Sequence, residues 1–487
     1  MPPVFFIISI VLYFSILLTI SWYTSRNATS ESYYLGNKQS PWFLVAFGMI
    51  GDSLSGVTFI SIPGTVAKDQ FSYMQLVLGY LLGYFVIARV LLPLYYKLNL
   101  TSIYSYLGER FGSSSEKTGS FFFLLSRLIG AAFRLYISAA VLQIFIFNQW
   151  GIPFWLTTTI VIALILLYTY RGGIRTLVWT DSVQSGFLLV GVILSIIVIA
   201  SQLNLSFTGI FTTVRDSPYS KIFFWDWQEK SFFFKQFFSG VFIAIVMTGL
   251  DQNMMQKNLS MRTLPDAQKN IYWFVSILVI VNLFFVSLGA LLYTFATSSG
   301  IPVPAKTDEL FPLLALNHLG SFAAVVFVLG ITAATFSSAD SVLTTLTTSF
   351  CIDFLKMKSD KETVKQKNTR HAVHISFAVI LLFIIILFRE INNDAVINSV
   401  FKVAGYTYGP LLGLFAFGLY MKAKVKDKLV PIICVIAPVL SYYLDTNSVT
   451  LFNGYKFGFE ILILNGLLTF IGLYIIKSRA TMNNEFQ

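Results

Sequence analysis

Charge is what this chain has least of. Only 12% of its 487 residues are charged, while 56% are hydrophobic. An ordinary soluble domain does not have this balance, so the composition points to an all-α polytopic membrane protein. Two cysteines, Cys351 and Cys434, exclude a disulfide framework and a thiolate metal cluster. His318, His371 and His374 form no metal-ligand spacing. His371 and His374 stand at a span entrance and read as interfacial. Arg171-Gly172-Gly173 lacks the Walker pattern, which disfavours an ATP-driven pump. The poor His and Cys inventory disfavours a membrane enzyme, and no cofactor is implied. The net charge of +11 invites nucleic acid as a partner, but membrane topology accounts for it better.

What is present is a series of thirteen apolar runs. They cover about 4–24, 41–64, 72–95, 119–148, 153–170, 178–202, 235–257, 271–298, 318–354, 371–389, 397–421, 429–444 and 459–477. Roughly 20 apolar residues cross a bilayer as a helix. The first run has no small-residue cleavage site after it and reads as a retained span. The connections are short. The longest, 203–234, is rich in aromatics (Phe223, Phe224, Trp225, Trp227) and is expected at the membrane interface. Taking alternate connections, 22 of the 34 Lys and Arg residues fall on one side, 8 on the other and 4 within spans. The richer side is expected to be cytoplasmic, with the N-terminus outside and the C-terminus inside.

Polar residues concentrate in three of the runs. In the ninth, Ala334, Ser337, Ser338 and Ser341 follow i, i+3, i+4, i+7 spacing, so a helix places them on one face. Asp340 lies about 60° round from Ser337 at roughly 100° per residue. Hard cations take oxygen ligands, and a carboxylate inside a span marks a functional site by default. Such serines can also simply hold neighbouring helices together. In the second run Gly48, Gly51, Asp52, Ser53, Ser55 and Gly56 interrupt the apolar sequence. In the seventh, Met247-Thr248-Gly249-Leu250-Asp251-Gln252 does the same. Breaks in corresponding positions of two halves point to a secondary transporter's site. They open two five-span blocks, and the odd span number inverts the second block relative to the first.

Several stretches then resemble one known family, the sodium/solute symporters. They are YYLGNKQSPWF from Tyr33, SLSGVTFISIPG from Ser53, LPLYYKLNLTSIYSYLGERFG from Leu92 and YRGGIRTLVWTDSVQ from Tyr170. GLDQNMMQKNLS from Gly249, FSSADSVLTTLTTSF from Phe336 and VAGYTYGPLLGLFAFGLY from Val403 complete the set. The family includes sodium-coupled glucose, proline, iodide, sialic acid, monocarboxylate and multivitamin carriers. The SGV and TSIYSYLGERFG runs look closest to the iodide, monocarboxylate and vitamin branch. The resemblance implies the five-plus-five inverted repeat, or LeuT-like fold, with one leading and two trailing helices. The divisions would be 1–40 (leading helix and first loop), 41–202 (first repeat), 203–234 (extracellular loop), 235–421 (second repeat) and 422–487 (trailing helices).

Carried over motif by motif, the resemblance implies a sodium site from the backbone carbonyls of Gly51, Leu54 and Ala334 and the hydroxyls of Ser337 and Ser338. Some members hold a second sodium, for which Asp181, Ser341 and Asp340 are the candidates here, together with the same serines. Asp340 stands where several relatives have a small polar residue, and it could instead pair with Arg127. Asp181 could instead bridge to Arg171 or Arg175. Arg134 falls about 15 residues into the fourth run, near the bilayer midplane, where a charge is expensive unless paired. A guanidinium fork suits a carboxylate, and the sialic acid carriers use an arginine of this helix in that way. The alternative is a structural pair with Asp52, Asp251 or Asp340. Arg89 and Arg127 can snorkel, which Arg134 cannot easily do. Other solute-site candidates are Ser53, Ser55, Thr58, Gln75, Met247, Tyr406 and Tyr408. The expectation is a sodium-coupled symporter in the cell membrane for a small organic anion, working by alternating access. Its rivals are a symporter of neutral solutes and a transporter-like sensor. A sensor would need an appended soluble domain.

Overall fold

The computed structural model describes residues 3–26, 30–145, 147–357, 363–391 and 396–481. Apolar runs become helices because a helix satisfies its own backbone where water cannot. Helix α1 is Pro3–Ser25. The second run is interrupted, as α2 (Trp42–Ser53) and α3 (Gly56–Asp69). Between them Leu54 (φ −93°, ψ 69°) and Ser55 (φ −68°, ψ 178°) leave helical geometry. Helix α4 (Tyr73–Val86) runs on through a π turn at Ile87–Leu91, and α5 is Ser113–Phe145. Helix α6 (Phe154–Gln202) joins two spans across Gly173, which turns at φ 55°. A Cβ there would lie 2.5 Å from the Cα of Tyr33, so the turn and the close approach both require glycine.

The second half opens with α7 (Phe233–Ala244), a π turn at Ile245–Gly249 and α8 (Gln252–Leu259), bent by 62° at the break. Helix α9 is Leu264–Ser298, α10 is Gly320–Ser349 and α11 is Val364–Ile391. Helices α12 (Val396–Thr407) and α13 (Gly409–Tyr420) meet at 45°. Helices α14 (Val430–Thr446) and α15 (Ile461–Ile475) follow. A short strand, β1 (Ala423–Val425), pairs antiparallel with β2 (Lys477–Thr481).

Among the described residues, eight helices are long and apolar enough to cross a membrane, or ten with the two bent pairs counted. Helix α2, the first half of α6 and α15 are shorter apolar helices. Ten of the thirteen apolar runs fall on a single helix, two of them on the two halves of α6, and the other three on the broken pairs α2–α3, α7–α8 and α12–α13. Helix α10 is the central post. Every residue from Gly330 to Ser349 is buried, and α10 packs against α2, α3, α5, α6 and α8. Around the rim the balance reverses. Leu12 on α1, Phe383 on α11 and Val439 on α14 are 61%, 67% and 62% exposed, an apolar belt of the kind a bilayer covers.

One expectation fails here. His374 is buried rather than interfacial, held between Thr169 Oγ1 (3.1 Å) and Thr347 Oγ1 (2.9 Å). It lies on the inward side of α11, so packing rather than distance along the chain decides its exposure.

Candidate ion and solute site

The broken end of α2 meets the hydroxyl face of α10. Gly51 permits the contact: a Cβ there would lie 2.5 Å from Ser185 Oγ and 3.1 Å from Ser337 Oγ. The Gly51 amide donates to Ser185 Oγ at 2.8 Å. Ser338 Oγ donates to the carbonyls of Ala334 (3.3 Å) and Asp52 (3.5 Å), tying α10 to the end of α2. Leu54 follows on the non-helical link, where carbonyls leave the helical ladder. Ser337 Oγ is fully buried and has no hydrogen-bond partner among the described residues. Leaving such a group unsatisfied costs about 1–3 kcal/mol. Oxygen donors around a buried unpartnered hydroxyl are the chemistry a hard cation requires.

Beside this contact lies a buried charge cluster. Lys257, 1% exposed, reaches from the last turn of α8 to Asp181 Oδ2 at 2.6 Å and Asp52 Oδ2 at 3.1 Å. Asn253 Nδ2 also donates to Asp52 Oδ2, at 2.6 Å, and Thr345 Oγ1 donates to Asn253 Oδ1 at 2.9 Å. Ser341 Oγ donates to Asp181 Oδ2 at 3.2 Å. Asp340 is held separately, accepting from the Tyr168 hydroxyl at 2.9 Å and from the Ser341 amide at 2.5 Å.

A cavity opens on the other side of the α2–α3 break, with about 670 Å³ of empty space that includes open solvent. Its walls include Asp52, Ser53, Ser55, Thr58, Tyr73, Tyr80, Tyr84, Arg127, Arg134, Met247 and Asn282. Arg127 is neutralised. Its Nε and Nη2 meet Asp251 Oδ2 and Oδ1 at 2.5 and 2.7 Å, and the Tyr408 hydroxyl adds a bond to Asp251 Oδ2 at 2.7 Å. Asp251 also caps α8 by accepting from the Met254 amide at 3.2 Å. Arg134, two turns along α5, has no ion pair to a carboxylate among the described residues.

Residues 33–427 match the profile of the sodium:solute symporter family. The chain belongs to that family. This symporter is 24% identical to the sodium/sialic acid symporter of Aliivibrio fischeri, over 92% of this chain and 89% of the relative. It is 25% identical to the sodium/sialic acid symporter of Proteus mirabilis, over 88% and 87%. It is also 25% identical to the sodium-coupled monocarboxylate transporter 2 of Danio rerio, over 81% and 63%. Among solved structures, a substrate-bound, outward-open sodium-coupled sialic acid symporter superposes with a TM-score of 0.81 at 21% identity, covering 98% of this chain and 99% of that one. The nucleobase-cation-symport-1 transporter Mhp1 superposes at 0.55 with 13% identity, covering 91% and 94%. These likenesses carry the LeuT-like fold.

The symporter's structure brings Gly51, Ala334, Ser337 and Ser338 together, and places Ser53, Ser55, Thr58, Arg134 and Met247 around one cavity. Two candidates lie elsewhere. Gln75 is spent on the extracellular loop: its Nε2 donates to the Ser231 carbonyl at 2.8 Å and its Oε1 accepts from the Phe224 amide at 3.2 Å. Tyr406 turns to α14, donating to Asp445 Oδ2 at 2.5 Å, while Tyr408 on the α12–α13 bend points inward. Arg127 does not snorkel and does not pair with Asp340, because Asp251 is in reach at the α7–α8 break. Arg89 lies at the surface, with its Nε on the Tyr272 hydroxyl at 3.0 Å. Asp181 meets Lys257 rather than Arg175, which is exposed; the Arg171 side chain lies outside the described residues. Of the candidates Asp181, Ser341 and Asp340, Asp181 meets the Lys257 ammonium and the Ser341 hydroxyl through Oδ2 while its Oδ1 is buried without a hydrogen-bond partner among the described residues, and Asp340 is bonded to Tyr168 and the Ser341 amide. Lys257 was the residue sequence reasoning missed. At the end of an apolar run it counts as a loop charge, and only GLDQNMMQKNLS as a motif draws attention to it.

Proposed function

We propose that this protein uses sodium to import a small organic anion whose carboxylate is held by Arg134. The observation that carries the reading is the contrast between two arginines in one cavity wall. Asp251 neutralises Arg127, and Arg134 has no such partner among the described residues. A half-buried guanidinium in the wall of a membrane cavity is costly without an anion, and its fork suits a carboxylate. The hydroxyls of Ser53, Ser55 and Thr58 and the amide of Asn282 would hold the polar remainder of the solute. The sialic acid and monocarboxylate carriers among the relatives move anions of this kind, which supports the assignment.

The sodium ligands in this reading are the carbonyls of Gly51, Leu54 and Ala334 and the hydroxyls of Ser337 and Ser338. Sodium there bridges α2 and α10, so it favours whichever state keeps the two in contact. By linkage it then raises solute affinity, and the solute raises sodium affinity equally. The two five-span blocks, 41–202 and 235–421, would move about this site, between the leading helix (1–40), the extracellular loop (203–234) and the trailing helices (422–487). The Lys and Arg asymmetry, 21 against 8 once buried Lys257 is set aside, supports an N-terminus outside and a C-terminus in the cytoplasm. The belt of Leu12, Phe383 and Val439 would face lipid.

The test is uptake into proteoliposomes under a sodium gradient, with radiolabelled sialate, lactate and biotin set against glucose. Sodium-dependent uptake of a carboxylate, lost when its methyl ester replaces it, is the expected result. Uptake of glucose with no carboxylate transported would overturn the anion assignment.

A further inference from the structure

We propose that Lys257 is a built-in cation that takes the place of a second sodium, so that this symporter binds one sodium per chain. The proposal rests on the sodium site assigned above. Its basis is the position of the Lys257 ammonium between Asp181 and Asp52, at 2.6 and 3.1 Å, with the lysine side chain 2% exposed and both carboxylates fully buried. An ammonium carries the same unit charge as sodium and offers three donors to oxygens. Two of the three are spent on these carboxylates. The Ser341 hydroxyl converges on the same Asp181 oxygen, at 3.2 Å. A sodium bound by Asp181 and Ser341 would therefore share its anion with an ammonium in contact, and two like charges at that range repel strongly where no water screens them.

The lysine cannot easily withdraw. Asn253 on the same helix bonds the Asp52 oxygen that Lys257 reaches, and is itself held by Thr345 of α10. Lys257 stands in the last turn of α8, where the helix dipole favours a cation. Asp52 also joins the two positions, because its carbonyl accepts from Ser338, a ligand of the assigned sodium site. The tethered charge therefore sits next to the exchangeable one without occupying its ligands. A side chain that moves with α8 is never released to the cytoplasm, so it holds charge in the site without adding to the ions transported.

The experiment is saturation binding of ²²Na⁺ to the full-length protein in nanodiscs, without solute, with sites counted per chain. The wild type should bind one sodium. Lys257→Gln, monodisperse on gel filtration, should bind two, and adding Asp181→Asn should return the count to one. Lys257→Arg, which keeps the charge, should bind one; where Lys257→Gln does not fold, Lys257→Gln with Asp52→Asn, which removes one of the two carboxylates left facing each other, should bind two, and one bound there would overturn the proposal. Two sodiums in the wild type, or one in folded Lys257→Gln at saturation, would overturn the proposal. No sodium bound by the wild type would overturn the assigned sodium site, and this proposal with it.

Discussion

Arg127 and Asp251 form a buried two-bond ion pair, at 2.5 and 2.7 Å, that joins α5 to the break between α7 and α8. Arg127 lies in the wall of the cavity beside the α2–α3 break, and the pair removes one of that cavity's two guanidinium charges from play. It also fixes the carboxylate that caps α8, the helix that carries Lys257. One contact therefore bears both on the charge lining this cavity and on the helix that carries Lys257.

Removing one member of the pair should be much worse than removing both. Asp251→Ala leaves Arg127 buried without an anion and should cost about 3–5 kcal/mol of stability. Arg127→Met combined with Asp251→Leu should recover a large part of that. Thermal melts of the two single mutants and the double mutant, read as a cycle, check this. A double mutant as unstable as the sum of the singles would show that the pair is not coupled.

Ser337→Ala and Ser338→Ala should each raise the sodium concentration for half-maximal activation, by about tenfold for the loss of roughly 1.4 kcal/mol at a charged group. Ser337 has no hydrogen-bond partner among the described residues, so its replacement should leave the melting temperature nearly unchanged. Unaltered sodium dependence in both folded mutants would remove the assignment.

Gly51→Ala should act through Ser185. The new methyl would stand 2.5 Å from Ser185 Oγ and push α2 away from α6 and α10. Sodium affinity should fall, and Ser185→Ala in the same chain should restore part of it by clearing the space. A Gly51→Ala protein with wild-type sodium affinity would show that the close approach does not shape the site.

Arg134→Lys keeps the charge and loses the fork. Affinity for a carboxylate solute should fall by about 1–3 kcal/mol, roughly 5- to 150-fold. The melting temperature without solute and sodium binding without solute should change little, since no carboxylate among the described residues pairs with Arg134. A large loss of stability with unchanged solute affinity would make Arg134 a structural residue and reopen neutral solutes.

The sequence alone determined the spans, the two breaks and the hydroxyl face of α10. Each is a local property. An apolar run of sufficient length has few alternatives to a helix in a bilayer, and helical spacing places Ser337, Ser338 and Ser341 on one side whatever packs there. The tertiary structure alone decided which long or polar side chains turn inward. Lys257 sits 205 residues from Asp52 and 76 from Asp181, and a flexible chain at the end of a run can equally reach water. Tyr406 and Tyr408 are two residues apart, yet the 45° bend at α12–α13 leaves one on Asp445 and the other on Asp251. Gln75 lies beside the solute cavity's helices but is captured by the backbone of a loop about 150 residues away. Periodicity reports the face on which a side chain begins. Where a mobile polar side chain ends depends on which distant partner lies within bonding distance, and packing alone supplies that partner.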